Sequence, residues 1–189
     1  YDGGSPDDIW AVRSAGIDPA TGQEIFIKKD GTYTFQYDKN DEVVVGTTAD
    51  KLQGVVGVSF YYKQFSASAN LRYRLGAQVF ASTLYNKVEN LSEDLMYYNV
   101  DRRALYDRWK QPGDIARFKA INNFESTPMS SRFVMDENVL TGESFSVGYE
   151  TAAKWIYMND IFRLASFKEE RGTEYPFSRS VSLSFDIRF

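Results

Sequence analysis

The chain has 189 residues and a net charge of −4, with neither cysteine nor histidine. A chain of this length is one domain or a piece of a larger one, and its acidic balance argues against an electrostatic nucleic-acid footprint. Without Cys or His there are no disulfides, thiolate or imidazole metal sites, cysteine nucleophiles or Ser-His triads, which leaves carboxylates, Lys, Tyr and Ser for any catalysis.

Aromatic residues make up 16% of the chain, with 13 Tyr and 14 Phe against 3 Trp. No apolar run approaches the ~20 residues of a membrane helix. Barrel strands that cross a membrane alternate lipid-facing and lumen-facing residues, so they combine modest mean hydropathy with many aromatics. The composition therefore fits a soluble β-rich domain and a barrel segment equally. The opening Tyr1-Asp2-Gly3-Gly4-Ser5-Pro6 is polar and turn-like, with no leader pattern, and reads as a mature or internal start.

In chain order, Asp18-Pro19-Ala20-Thr21-Gly22 reads as a turn. The strand-like runs Glu24–Lys29 and Thr32–Tyr37 flank Asp30-Gly31, which predicts a hairpin with a type I′ turn. Both its faces are polar in pattern, which places it in solvent. Val56, Val58, Phe60 and Tyr62 then form one face of a strand, and Lys63-Gln64 a tight turn. From Phe65 to Leu75 the alternation is unbroken: Phe65, Ala67, Ala69, Leu71, Tyr73 and Leu75 against Ser66, Ser68, Asn70, Arg72 and Arg74. That length exceeds the ~5–6 residues of an ordinary globular strand and matches the ~9–11 of a tilted bilayer-crossing strand.

Gly76 to Met129 is long and irregular, with a short helix predicted over Asn99–Trp109 and stopped by Pro112-Gly113. A connection of that length is usually functional or disordered. Strand character returns from Ser131, with Glu143, Phe145, Val147 and Tyr149 in alternation. Thr151–Lys154 turns the chain into a strand over Tyr157–Phe167, and a charged loop, Lys168–Gly172, leads to a closing strand over Arg179–Phe189. Short turns thus alternate with long loops, the asymmetry of outer-membrane barrels. The final Ser180–Phe189 alternates to its last residue, whereas most termini are polar and fray.

Five groups of polar residues bear on function. Asp101, Arg102 and Arg103 with Asp107, Arg108, Trp109 and Lys110 either form a sugar- or partner-contacting surface or hold their own loop together by ion pairs, the more economical reading. Arg72 and Arg74 either contact substrate or a plug within a lumen or pair with carboxylates on neighbouring strands; Asp186 and Arg188 carry the same two readings. Asp38, Asn40, Asp41 and Glu42 suggest a Ca²⁺ loop but lack its Gly and distal Glu, so a solvated turn is expected. Glu169-Glu170 and Asp7-Asp8 are not placed across a cleft as glycosidase acids would be. No active site, cofactor or metal is expected.

Several stretches resemble the C-terminal part of the SusC/RagA family of TonB-dependent outer-membrane transporters of Bacteroidota. They are Trp10–Phe26 (WAVRSAGIDPATGQEIF), Tyr73–Phe80 (YRLGAQVF), Asn99–Asp114 (NVDRRALYDRWKQPGD), Ser130–Val134 (SSRFV) and, most specifically, Asn159–Ser180 (NDIFRLASFKEERGTEYPFSRS). The resemblance runs in order from about Ile9 to Phe189. It implies an all-β fold, an antiparallel segment of a transmembrane barrel of roughly 22 strands with a plugged lumen and long extracellular loops. Residues 1–51 would be an extracellular loop and hairpin region, and residues 52–189 the C-terminal barrel strands with a long extracellular loop at about 76–130. The implied function is TonB-dependent import of nutrient oligomers, glycans first and peptides second, across the outer membrane. A SusD-like lipoprotein would form the lid, and TonB would act through an upstream segment. Outer-membrane lipid and the barrel assembly machinery complete the implied partners, with no nucleic acid among them.

The family has no catalytic residues to carry over. The resemblance implies only locations: Asp101, Arg102, Arg103, Arg108 and Trp109 on a lid- or substrate-facing loop, Arg72, Arg74, Asp186 and Arg188 facing the lumen, and Phe185, Ile187 and Phe189 as an assembly signal. One departure falls at Ile156-Tyr157, where the family's strand is longer, which implies a short strand here or an omitted piece. The competing reading is a soluble β-sandwich that stacks surface Tyr and Trp on sugars, its apolar strand faces turned into a core. An outer-membrane enzyme ranks below both.

Overall fold

In the computed structural model, residues 3–149, 154–167 and 179–185 are described, and the chain is all-β with two antiparallel sheets in two compact units. The first unit comprises residues 1–48 and 78–135; the second comprises 49–77 and 136–189.

The first unit is built on a four-stranded sheet of β1 (Asp8–Ile17), β2 (Glu24–Ile27), β3 (Tyr33–Thr34) and β4 (Glu42–Thr47), in the order β3-β2-β1-β4. The pairing of β1 is interrupted twice, between Ile9 and Trp10 against β4 and between Ser14 and Gly16 against β2. Ala11 and Val12 are adjacent and in regular register, so their side chains point to opposite faces, and both are buried because β1 is covered on both sides there; the irregularities at either end displace the phase further. This is why no clean alternation marks β1 in the sequence.

The expected hairpin after β2 differs in two respects. Lys28 pairs with Thr32 across a three-residue loop closed by Gly31 at φ 89°, so the turn is not the two-residue type I′ form. Nor does the strand lie wholly in solvent: Glu24 and Phe26 are buried. Asp38 caps its own turn, accepting from the Asn40 amide at 2.9 Å, and Asp41 accepts from the Lys29 amide of the hairpin loop at 3.1 Å.

The connection from 81 to 133 is ordered without long helices. A single wide helical turn spans Leu84–Glu89, and Phe80, Tyr85 and Phe133 form a ring cluster with centroids 5.2–6.0 Å apart. Over Asn99–Trp109 the structure has only a 3₁₀ turn, Arg102–Leu105. Tyr106 is extended and Asp107 takes a positive φ of 53°, which ends any helical propagation.

The second unit carries a five-stranded sheet in the order β5-β6-β7-β8-β9: Leu52–Tyr62, Phe65–Phe80, Val134–Tyr149, Lys154–Ala165 and Val181–Phe185. Residues of β6 up to Ala77 and of β7 from Asp136 belong to this unit. The pairing of β5 with β6 is unbroken from Leu52↔Leu75 to Tyr62↔Phe65, with Lys63 at φ 51° in the two-residue turn. A hydrogen bond between the Ser68 and Ser146 hydroxyls (2.8 Å) and one from Asn70 to Ser144 (2.9 Å) place β6 antiparallel to β7. Register between β7 and β8 runs through Val147↔Ile156 and Ser146↔Tyr157 without a break, so the departure noted at 156–157 lies inside one continuous strand. Both β5 and β9 are edge strands, and the described residues do not close a barrel. The expected turn at Thr151–Ala153, the loop at 168–178, and Asp186, Ile187, Arg188 and Phe189 lie outside the described residues.

Candidate functional site

Three arrangements bear on function. The first is the division of the five-stranded sheet into two chemically opposite faces. Residues paired across antiparallel strands point to the same side. One row of side chains crosses all five strands: Phe60, Ala67, Val147, Ile156 and Leu183. The next row is Val58, Ala69, Phe145, Met158 and Val181. Every member is apolar, yet Phe60 is 60% exposed, Ile156 42% and Leu183 63%. Ser66, Ser68, Asn70, Arg72, Arg74, Ser144, Ser146, Asn159, Ser182 and Ser184 occupy the opposite face, together with Val55, Tyr61, Trp155 and Tyr157. Tyr61, Tyr62, Phe65, Tyr149 and Trp155 gather at the end that carries the Lys63-Gln64 turn, with Phe65 and Tyr149 at 4.7 Å between ring centroids.

On the polar face the two arginines are paired. Arg72 meets Glu143 of β7 at 2.5 Å, and Arg74 meets Asp50 at 2.9 Å. Both readings of these residues involved a polar face; the structure supplies carboxylate partners for each. Of the other candidates, Asp186 and Arg188 fall outside the described residues. Only the backbone of Phe185 is placed, opposite Lys154 at the end of β9.

The second arrangement is the loop that carries the remaining candidates. Asp101 caps the 3₁₀ turn, accepting from the Arg103 amide at 2.9 Å and pairing with the Arg103 guanidinium at 2.5 Å. The Arg103 side chain, first among several causes, holds the Asp101 carboxyl below its ordinary 3.8. A carboxyl depressed in the folded state stabilises the fold above its unfolded value and loses that contribution as pH falls through the folded one. The amide shifts of Ala104 and Tyr106 are therefore expected to move on acidification below pH 3.8, and to lose that response in Asp101→Asn. An unchanged titration in the variant would count against the pairing.

Arg102 is exposed and lies over the Tyr106 ring at 5.8 Å. Arg108 is different in kind: at 6% exposure it donates to the carbonyls of Ala104 (2.6 Å), Lys119 (3.0 Å) and Val88. Its guanidinium thus ties three segments of the connection together and is not presented at the surface. Trp109 donates from Nε1 to the Pro19 carbonyl at 2.9 Å, and its indole covers Gly22. A Cβ on Gly22 would approach the indole to 2.6 Å, and φ there is +73°. Gly22→Ala is expected to cost at least the ~1–2 kcal/mol of a left-handed alanine, with further loss from displacing Trp109, read as a lowered thermal midpoint. The five loop candidates thus divide: Arg102 faces outward, Asp101 and Arg103 stabilise a turn, and Arg108 and Trp109 fasten the loop to the rest of the unit.

The third arrangement was not singled out from the sequence. Arg132 sits between two buried carboxylates, at 2.9 Å from Glu24 and 2.6 Å from Glu89. Ser130 donates to Glu24 at 2.5 Å and Thr127 to Glu89 at 3.1 Å, while a third Arg132 bond goes to the Arg117 carbonyl. Burial alone would depress the guanidinium, but the adjacent Glu89 and then Glu24 reverse this and raise it above its ordinary value. Burial dominates at Arg108 and Lys119, and both are lowered. Glu24 could have been found by phase: it is two residues from Phe26 on a strand, hence on the same buried face.

No protein-family model and no curated protein matches the chain. Among solved structures it is similar to a chain of the RagAB peptide importer in the open-open state, with a TM-score of 0.72 at 16% identity. The same importer in the closed-closed state gives 0.68 at 17%, and a RagAB peptide transporter structure gives 0.69 at 16%. The matches cover 87–88% of this chain but only 20% of the importer chain. At such identities the likeness is one of fold, and this chain folds like a fifth of an importer chain.

Proposed function

We propose that the chain is part of an outer-membrane β-barrel transporter that imports nutrient oligomers, with the five-stranded sheet as a section of the barrel wall. The observation that carries this reading is the uncovered apolar face, which spans all five strands opposite a face of Ser, Asn and paired Arg. In water a contiguous apolar surface of this kind would be covered by a partner or prone to aggregation. In lipid it is the expected exterior, and Tyr62, Phe65 and Tyr149, on the same face at one end, correspond to an interfacial aromatic girdle. A β-sandwich would need a second sheet against Phe60 and Leu183, and among the described residues nothing covers either side chain.

Within this reading the edges of β5 and β9 pair with further strands, since unpaired backbone groups in lipid each cost several kcal/mol. The residues at 76–130 form an extracellular connection, with Arg102 among the side chains offered to a surface lipoprotein or to cargo. Energy comes through TonB, and the chain performs no catalysis. The RagAB importer structures favour peptide cargo, and the sequence resemblance leaves glycan oligomers beside it. Cells lacking the gene are expected to lose uptake of one labelled class, oligopeptides or oligosaccharides, and to regain it on complementation. Undiminished uptake of both classes would overturn the transport reading.

A further inference from the structure

The 3₁₀ turn at Arg102–Leu105 is fastened to the first unit on both sides. Asp101 caps it and binds Arg103, and Ala104 is 0% exposed. The Ala104 carbonyl accepts from the buried Arg108 guanidinium at 2.6 Å, and the Tyr106 amide donates to the Arg103 carbonyl at 3.1 Å. Just beyond, the Asp107 carbonyl accepts from the Arg117 and Phe118 amides at 2.8 and 2.9 Å. Of residues 101–106 only Arg102, Leu105 and Tyr106 are exposed, Leu105 at 58% and Tyr106 at 52%.

These three share one side of the turn. Residues three apart eclipse in a 3₁₀ turn, which sets Leu105 in line with Arg102. The Arg102 guanidinium lies over the Tyr106 ring at 5.8 Å, and its Nε–H points to the Tyr106 hydroxyl at 3.4 Å. That stacking leaves the terminal NH₂ groups of Arg102 with no partner among the described residues. The adjacent carboxylate, Asp101, is taken by Arg103. Each exposed side chain is ordinary by itself. Together they combine a leucine with Tyr and Arg, the types that dominate binding hot spots. Their backbone is already held in place, so little ordering cost remains on association.

Charge restricts the occupant. A planar fork of free N–H donors is matched by a carboxylate, which accepts from two of them in parallel. Leu105 and the Tyr106 ring call for an apolar group beside that carboxylate, which a free anion or a sugar hydroxyl does not bring. We propose that Arg102, Leu105 and Tyr106 are the docking point for a partner protein that presents an Asp or Glu carboxylate next to an apolar side chain. The carboxylate accepts from Arg102, and the apolar side chain covers Leu105 and Tyr106. The proposal rests on the transport reading only for the side of the membrane on which the partner is met.

The test is photocrosslinking in cells that make the full-length chain with benzoylphenylalanine at position 105, and at position 110 as an exposed control outside the turn. One main adduct is expected at 105, to a partner peptide that mass spectrometry shows to carry Asp or Glu beside an apolar residue. Arg102→Glu should lower its yield at least about tenfold, the loss of a charge-assisted hydrogen bond. Arg102→Lys keeps the charge without the fork and should fall between. Changing the partner's carboxylate residue to Arg should restore the adduct with Arg102→Glu. Arg102 is exposed, so both variants should reach the outer membrane in the parent's amount. An adduct at 105 no stronger than at 110, an adduct to a second copy of this chain or to a segment without a carboxylate, or undiminished yield in Arg102→Glu would each overturn the proposal. Uptake by cells lacking the gene separates it from the transport reading: lost uptake with no adduct overturns the docking point alone, and an Arg102-dependent adduct with undiminished uptake overturns transport alone.

Discussion

Leu183→Arg is expected to reduce folding into lipid vesicles by about 2–4 kcal/mol if the residue lies near the bilayer midplane, while Ser184→Arg beside it folds nearly as the parent does. The two positions are neighbours on β9, and both are exposed. They differ in face: Leu183 shares its side with Phe60, Val147 and Ile156, and Ser184 shares its side with Trp155 and Tyr157. In water the same leucine replacement would fall within about ±0.5 kcal/mol, as surface substitutions usually do. The pair of variants therefore separates the two surroundings by the size of the loss, about 2–4 kcal/mol in lipid against about 0.5 kcal/mol in water. Val58→Arg, one row along at the other edge of the sheet, should repeat the result. The measurement is the folded fraction after dilution into vesicles, read by resistance to denaturation in detergent at low temperature. Equal folding of Leu183→Arg and Ser184→Arg would remove the lipid-facing assignment and the barrel reading with it.

That sheet was largely legible in the sequence, and the first unit was not, for one physical reason. Alternation reports a strand only where one face is uniform and the pairing continuous, as over Phe65–Leu75 and Phe145–Tyr149. In β1 the two register shifts displace the phase, so its residues read as a mixed run. The connection after Phe80 holds its shape through single side chains bonding to backbone carbonyls, Arg108 above all, and such contacts have no period. Its charged residues consequently read either as a contact surface or, more economically, as a loop held by ion pairs, whereas Arg108 bonds to backbone carbonyls. The stacking role open to Trp109 in the first of those readings gives way to a ring laid over Gly22. The turn chemistry was partly visible: Asp18 and Gly22 form a turn, but Asp30-Gly31 closes a longer loop than the dipeptide alone suggests. What a carboxylate or guanidinium faces is a long-range property, and Glu24 meets Arg132 across more than half the chain.

Arg132→Met is the substitution expected to damage the first unit most. Removing one member of a buried ion cluster strands its partners, which typically costs about 3–5 kcal/mol. Here two carboxylates would lose their shared cation at once, both with side chains less than a tenth exposed. Arg132→Lys retains the charge but cannot reach Glu24, Glu89 and the Arg117 carbonyl together with one planar fork, so a smaller loss is expected. Hydrogen exchange separates this from a global effect: amides around Val88 and Phe133 should lose protection, while those of the β7–β8 pairing should keep it. The native contribution should not vary with pH across the working range, because a guanidinium raised above an already high value stays protonated throughout. Pairing Arg132→Met with Glu89→Gln tests the cause. If the loss comes from stranded charge, the double variant should be more stable than the sum of the two single losses predicts, by a coupling of about 0.5–3 kcal/mol. Strict additivity would instead mean that Arg132 acts through its guanidinium lying over the Phe133 ring, and the carboxylates would be bystanders.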